Sequence, residues 1–330
     1  MKSRLHPYAA LLALTLVVGA GALFIGHGSL GDAALRETFL WLRAYRLGAA
    51  FVAGASLAVG GVMVQALFRN PLVDPSIVGT TAGASLGGQA ALLAFHLLPG
   101  GLFLHGVAAE MVVPIGGMAG ALAALAVLAL ASRRSRGMLV VLLTGAILSS
   151  FFLSVSGFLM SLAQESFEVA RALFAMSMGG VSGVGARQLE MALPLALVAL
   201  IAAWWWGAPL DLLLSGENEA ASLGLDVNQT RRWCIVWVAV LTTAAVSVGG
   251  NLAFVGLIVP HALRPFVGVL NRRLIPAAAL AGGTFVVACD VLTRSLPTRS
   301  EVPLGVVTGL LGAPLFLSLL FRSQREVEHG

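Results

Sequence analysis

Little charge is present in this chain: Asp, Glu, Lys and Arg make up 11% of 330 residues, where a soluble domain carries about a quarter. So little polar surface cannot solvate a compact body of this size, which excludes a soluble globular protein and makes lipid part of the solvent. Lysine is almost missing, and the one example, Lys2, sits at the extreme N-terminus. A phosphate-binding loop of the Gly-x-x-x-x-Gly-Lys kind needs its lysine to reach the nucleotide phosphates, so ATP is not hydrolysed here by that machinery. Energy for any work comes from another chain or from an ion gradient. Only two cysteines occur, Cys234 and Cys289; both lie in apolar blocks and read as small core residues, not as a disulfide or a metal site. The six histidines show no metal-ligand spacing. The net charge of +5 is scattered in ones to threes between apolar blocks, with no basic face or aromatic platform, which argues against a nucleic-acid partner.

What the chain has in quantity is apolar sequence, 58% of its residues, at a mean hydropathy of +0.93. It comes in nearly charge-free stretches long enough to cross a hydrocarbon core of about 30 Å. Ten such spans are expected, near 8–27, 47–68, 77–98, 106–131, 138–163, 189–206, 233–250, 252–268, 274–293 and 302–321. The eighth is interrupted by Gly256, Pro260, Arg264 and Pro265 and reads as a short or re-entrant helix enclosed by protein. The first follows Lys2 and Arg4 and contains Ala-Gly-Ala at 20–22, as a leader would; its apolar run continues past that point, so an uncleaved span is expected. With the N-terminus inside, 12 of the 20 basic residues fall on the inner side and seven on the outer, which places both ends in the cytoplasm. Seven outer arginines against this bias call for a separate reason.

Gly83 and Gly87, Gly116 and Gly120, and Gly305 and Gly309 each make a Gly-x-x-x-Gly face, suited to helix packing within the chain or to dimerisation. Gly60, Gly61, Pro71 and Gly79 recur at an offset of 189 as Gly249, Gly250, Pro260 and Gly268, a faint echo consistent with inverted five-helix repeats. The whole of 1–330 is therefore expected to be a single all-α, polytopic membrane domain of about ten transmembrane helices.

Two inner loops carry specific chemistry. In Arg69-Asn70-Pro71-Leu72-Val73-Asp74-Pro75 two prolines suppress helix and fix a polar bend, either a plain turn or a constriction at the inner mouth of a pathway. Within the long inner loop at about 207–232, residues 217–223 are good helix formers and Gly224 is placed as a stop. A short cytoplasmic helix bounded by Gly216 and Gly224 suits docking to a soluble partner.

These blocks, taken together, resemble the FecCD-type permeases, the membrane subunits of ATP-driven importers for ferric siderophores, haem and cobalamin. The similarity runs through Arg43-Ala-Tyr-Arg46-Leu, Gln65-Ala-Leu-Phe-Arg-Asn-Pro-Leu72 and Asp74-Pro-Ser76. It continues through Gly216-Glu217-x-x-Ala220-x-x-Leu223-Gly224 and Phe254-Val-Gly-Leu-Ile-Val-Pro-His261-x-x-Arg264. It closes with Asp290-x-x-x-Arg294, Glu301-x-Pro303-x-Gly305 and Gly312-Ala-Pro-x-Phe316, and so covers nearly the whole chain.

The resemblance implies a homodimer in the bacterial inner membrane, driven by a cytoplasmic ATPase dimer and loaded by a periplasmic binding protein. Gly216, Glu217, Ala220, Leu223 and Gly224 would couple to the ATPase, where ATP and magnesium would be bound; this chain would bind no cofactor of its own. Arg43, Arg46 and Arg294 would meet glutamates of the binding protein, with Asp290, four residues before Arg294, orienting that guanidinium. Asn70, Pro71, Asp74, Pro75, Gly83, Ser85, Pro260 and His261 are candidates for the pathway and its gate. The cargo would be an iron chelate or tetrapyrrole, with ferric siderophore first, haem next and cobalamin third. One departure stands out: the family often has a tryptophan in the outer loop after span five, where this chain reads Leu173-Phe-Ala-Met-Ser-Met-Gly-Gly180. Met176 and Met178 could face a bulky macrocycle or fill core space. An ion-coupled transporter would need ionisable groups at mid-membrane; Glu110 and Asp290 are the few candidates, and both fall near outer span ends. An intramembrane enzyme would need a matched catalytic pair, and none is evident.

Overall fold

The computed structural model describes residues 6–26, 35–76, 79–97, 109–134, 138–296 and 302–328. Among them are twelve α-helices: α1 (His6–Phe24), α2 (Arg36–Leu67), α3 (Thr80–Leu97), α4 (Ala109–Arg134), α5 (Met138–Leu162), α6 (Phe167–Met178), α7 (Ala186–Leu213), α8 (Glu217–Ser222), α9 (Val227–Gly249), α10 (Val255–Val267), α11 (Asn271–Ser295) and α12 (Leu304–Glu328). Seven of them, α1, α2, α4, α5, α7, α9 and α11, are long and apolar enough to cross a membrane. The other three expected spans coincide with α3, which Gly, Ser, Thr and Gln make less apolar, and with α10 and α12. The last two are shorter apolar helices over Val255–Val267 and Leu304–Ser318.

α2 is the central post. Its apolar length is 83% buried, against 6% for α1 and 11% for α5, and it packs against α11, α9, α7 and α10. Small residues make this possible: a Cβ at Gly54 would overlap the Gly282 carbonyl of α11, and one at Gly61 would overlap Gly256 of α10. The Gly-x-x-x-Gly faces resolve in the same way. Gly83 and Gly87 of α3 lie directly against Gly120 and Gly116 of α4, backbone to backbone, the close approach that such faces permit. That seam is internal to one chain. The space at Gly305 is also filled, by the Met178 and Asn251 carbonyls, whereas a Cβ at Gly309 would meet no atom of another element within 4 Å among the described residues.

The eighth span differs from the expectation in where it breaks. Pro260 and Pro265 are accommodated inside α10. The interruption lies upstream, where α9 ends, Gly250 has φ 65° and Phe254 has φ 65°. A bulky residue in the left-handed region is strained; here Phe254 is wedged by α12, packed on Gly312 and 6.3 Å from the Phe316 ring. With 13 residues α10 is about 20 Å long, too short to cross alone. The stretch expected as an outer loop at 173–180 is the second correction: most of it is the C-terminal half of α6. The glycine echo holds only in part. Gly79 and Gly268 both have positive φ, 87° and 91°, but Pro71 lies in a turn and Pro260 in a helix.

Candidate functional site

The functional candidates gather in three places. At the outer end, the last carbonyls of α1 have no partners within the helix. Arg43 donates from Nη1 to the Leu23 and Phe24 carbonyls at 2.9 and 3.1 Å, and from Nη2 to Gly26 at 3.2 Å. Arg294 donates from Nη1 to the Ala22 and Ile25 carbonyls at 3.1 and 2.7 Å. Two cations thus cap the negative end of the α1 dipole. Asp290, itself 1% exposed, joins them: Arg46 Nε reaches Oδ1 at 2.8 Å, and Arg294 Nη2 forms an ion pair with Oδ2 at 2.9 Å. The expected i, i+4 pair is present. Arg43 and Arg294, however, are 6% and 7% exposed, so their guanidiniums are engaged inside the fold and are not presented as free cations. Closing α1, α2 and α11 together is a structural role for Arg43, Arg46 and Arg294, three of the seven outer arginines.

At the inner end, α8 is the short helix expected. Gly216 (φ 126°) and Gly224 (φ 89°) flank it in conformations that favour glycine. Ala220 is buried and anchors the helix, while Leu223 is 67% exposed. Glu217 pairs with Arg231 of α9 at 2.7 Å, and Asp226 caps α9 by accepting from the Gln229 N–H at 2.9 Å. A shallow pocket lined by Leu67, Arg69, Leu213, Glu217, Val227 and Arg231 lies beside it. The five coupling candidates therefore form one unit, fixed at Ala220 and open at Leu223.

The gate candidates do not form one site. Asn70, Asp74 and Pro75 belong to a self-bonded turn. The Leu72 N–H donates to Asn70 Oδ1 at 2.9 Å, the Ser76 N–H and hydroxyl donate to Asp74 Oδ1, and the Thr80 N–H and hydroxyl donate to the Pro75 carbonyl. Pro71 is exposed, while Asp74 and Pro75 turn inward against Gly256 of α10. Burial pushes the Asp74 carboxyl above the usual carboxylate range, and the Ser76 hydrogen bonds partly offset this. Gln65 ties the same corner together, donating to the Gly256 carbonyl at 3.0 Å and accepting from Arg264 Nη2. Pro260 is buried within α10 and His261 is half-buried one residue on. Gly83 and Ser85 lie elsewhere on α3: Gly83 is consumed by the α4 seam, and Ser85 donates to the Met176 carbonyl at 3.2 Å.

That last contact opens a region the sequence did not disclose. Gln89 bridges Ser85 and the Ser177 hydroxyl at 3.1 and 2.8 Å, holding the end of α6 to α3. The Asn251 N–H donates to the Met176 carbonyl, Gly180 to Gly249, and Leu304 to Gly179, at 2.9 to 3.0 Å. The end of α6, the α9–α10 break and the start of α12 therefore meet backbone to backbone at Gly179, Gly250 and Gly305. Non-helical backbone inside a membrane bundle survives only where protein or a water-filled cavity satisfies it, and this junction does so. Met176 packs inward toward Gly88, while Met178 is 42% exposed. The clue available in sequence was the pair of double glycines at 179–180 and 249–250.

The blocks that carried the family resemblance are thus pieces of common contacts. Gln65 and Asp74 meet Gly256, Phe254 meets Gly312 and Phe316, and Arg46 meets Asp290. Comparison with known proteins agrees. The chain is 38% identical to the cobalamin import system permease protein BtuC of Halobacterium salinarum, over 81% of this chain and 69% of that one. It is 33% identical to the hemin transport system permease protein HmuU of Yersinia pestis, over the full length of both. A solved metal-chelate type ABC transporter in an inward-facing conformation superimposes with a TM-score of 0.79 at 29% identity, covering 97% of this chain and 99% of the other. The FecCD transport family matches residues 8–322, and the chain belongs to that family as a multi-pass membrane permease subunit of an ABC importer, not itself an ATPase.

Proposed function

We propose that this permease imports a bulky metal chelate, with an iron siderophore or haem as the leading cargo and cobalamin as the alternative. The similarity to a haemin permease and to a metal-chelate transporter supports the first reading, and the similarity to a cobalamin permease supports the second. The working unit is a homodimer with a cytoplasmic ATPase dimer and an external binding protein. α5 supports the dimer: it is apolar yet only 11% buried, and its open side carries Ile147, Phe151 and Phe158 beside Ser150 and Ser154. Both serine hydroxyls are satisfied by carbonyls four residues back, so that side suits either a second copy or a passage wall.

The observation that carries the reading is α8, a glycine-bounded helix with a buried foot and an exposed leucine. ATP binding in the partner would press on Leu223 and Glu219, and the push would pass through Ala220 and the Glu217–Arg231 pair into α7 and α9. At the outer face the arginine cluster shapes the surface on which the binding protein sits, by holding α1, α2 and α11 together. The test is reconstitution in proteoliposomes with the ATPase and binding protein, offering a ferric siderophore, haemin and cobalamin in parallel. One cargo should accumulate, ATP-dependently, and Leu223→Asp should abolish that accumulation while leaving ATP hydrolysis by the free ATPase unchanged. Gradient-driven uptake by the permease alone, or full uptake by the Leu223→Asp variant, would overturn the proposal.

A further inference from the structure

The inner ends of α1, α7 and α11 stand side by side at the perimeter of the bundle. The Tyr8 hydroxyl of α1 donates to the Arg273 carbonyl at 2.8 Å, and Gly207 of α7 lies against the Arg272 backbone. Around this row are two exposed arginines, Arg272 and Arg273, and two exposed tryptophans, Trp204 and Trp205, at 44% and 75%. The Arg272 guanidinium lies 5.7 Å from the centre of the Trp204 ring. Neither arginine has an ion-pair partner among the described residues. Asp211 accepts from the backbone N–H groups of Asn271 and Arg272, and its carboxylate offsets part of the Arg272 charge, so the corner keeps a net positive charge.

Tryptophans concentrate where the hydrocarbon meets the headgroups. Basic residues between helix ends on the cytoplasmic side attract the phosphates of anionic lipid. Here both occur on one lipid-facing corner, with Tyr8 as a further polar aromatic. We propose that this corner binds the headgroup of an anionic phospholipid of the inner leaflet. Arg272 and Arg273 hold its phosphate, and Trp204 and Trp205 flank the glycerol and upper acyl chain. Charge complementarity selects this occupant, because zwitterionic lipid offers no net charge to a corner where two arginines face a single carboxylate. Nothing in the import reading depends on the site.

Native mass spectrometry of the full chain in mild detergent, titrated with phosphatidylglycerol or phosphatidylcholine, tests it. Phosphatidylglycerol should be retained in preference, and the double variant Arg272→Gln/Arg273→Gln should weaken retention on the order of tenfold. Arg36→Gln, an exposed cation at the opposite end, should leave retention unchanged. Brominated phosphatidylglycerol should quench the tryptophan fluorescence of the unsubstituted protein more than brominated phosphatidylcholine does, a readout that no folding defect can imitate. Equal retention of both lipids, or undiminished retention by the double variant, overturns the assignment. So does inorganic phosphate displacing the lipid completely at millimolar concentration, or a double variant that loses only ATPase assembly.

Discussion

Asp290 is the residue on which the outer end turns, because it is almost fully buried and shared by Arg46 and Arg294. Removing one partner from a buried ion pair leaves an uncompensated charge and costs about 3–5 kcal/mol, whereas removing both charges costs much less. Arg294 also supplies two hydrogen bonds to α1 carbonyls. Asp290→Asn, which leaves the Arg46 and Arg294 guanidiniums without their shared carboxylate, should therefore lower the midpoint of thermal unfolding in detergent markedly, and Asp290→Asn/Arg294→Met should recover part of the loss. If the double variant is as unstable as the sum of the single ones, the ion pair contributes nothing and α1 capping accounts for the whole effect. The Asp290–Arg294 pairing was legible in the sequence because helical spacing brings i and i+4 together. The capping of α1 was not, since it joins residues 269 and 272 positions apart, and no local pattern records such a contact. The same holds for Asp74 and Gln65: their loop reads as polar and bent, but their common partner, Gly256, becomes visible only once α10 is in place.

Helices were legible where lipid dictates a long apolar run, and poorly legible where the chain breaks inside the bundle. α8 could be placed from its glycines and helix formers. α6 was hidden because twelve residues of mixed polarity give no span signal, and its end is fixed by Ser85, Gln89 and Asn251, all distant in sequence. α10 was expected to break at its prolines, yet tertiary packing tolerates both and moves the break to Gly250–Phe254. Glycine pairs show the same dependence on neighbours. A side chain at Gly120 would strike the Gly83 backbone, whereas Gly309 faces open space. Overpacking of this kind costs about 1–3 kcal/mol or more where backbone cannot move. Gly120→Val should reduce the yield of monodisperse protein in fluorescence-detected chromatography several-fold, and Gly309→Val should match the parent. Equal yields would show that the α3–α4 seam is looser than its backbone contacts indicate. A loss of dimer with Gly309→Val alone would identify that open glycine as part of the subunit interface.

Across the whole molecule, one element connects the two surfaces assigned to partners. α11 has 25 residues and so extends about 37 Å, the full depth of the bundle. Its outer end carries Asp290 and Arg294. Its inner end is clamped by Asp211 of α7, whose carboxylate accepts from the Asn271 N–H and, at 3.3 Å, from the Arg272 N–H. This is an N-cap supplied by a neighbouring helix in place of the local residue, Leu270, whose side chain has no acceptor. Asp211 lies five residues before Gly216, so under the coupling role proposed for α8 its movement would reach the start of α11 through one carboxylate and two hydrogen bonds. A packed helix moves as a rigid unit, and displacement at one end is delivered at the other. Asp211→Ala should therefore preserve dimer assembly and basal ATP hydrolysis in the complete transporter but lower the stimulation produced by loaded binding protein at least twofold. Asp211→Asn, which retains one acceptor oxygen, should keep most of that stimulation. Undiminished stimulation in Asp211→Ala would separate α11 from the coupling route and leave α7 and α9 as the elements that carry the signal.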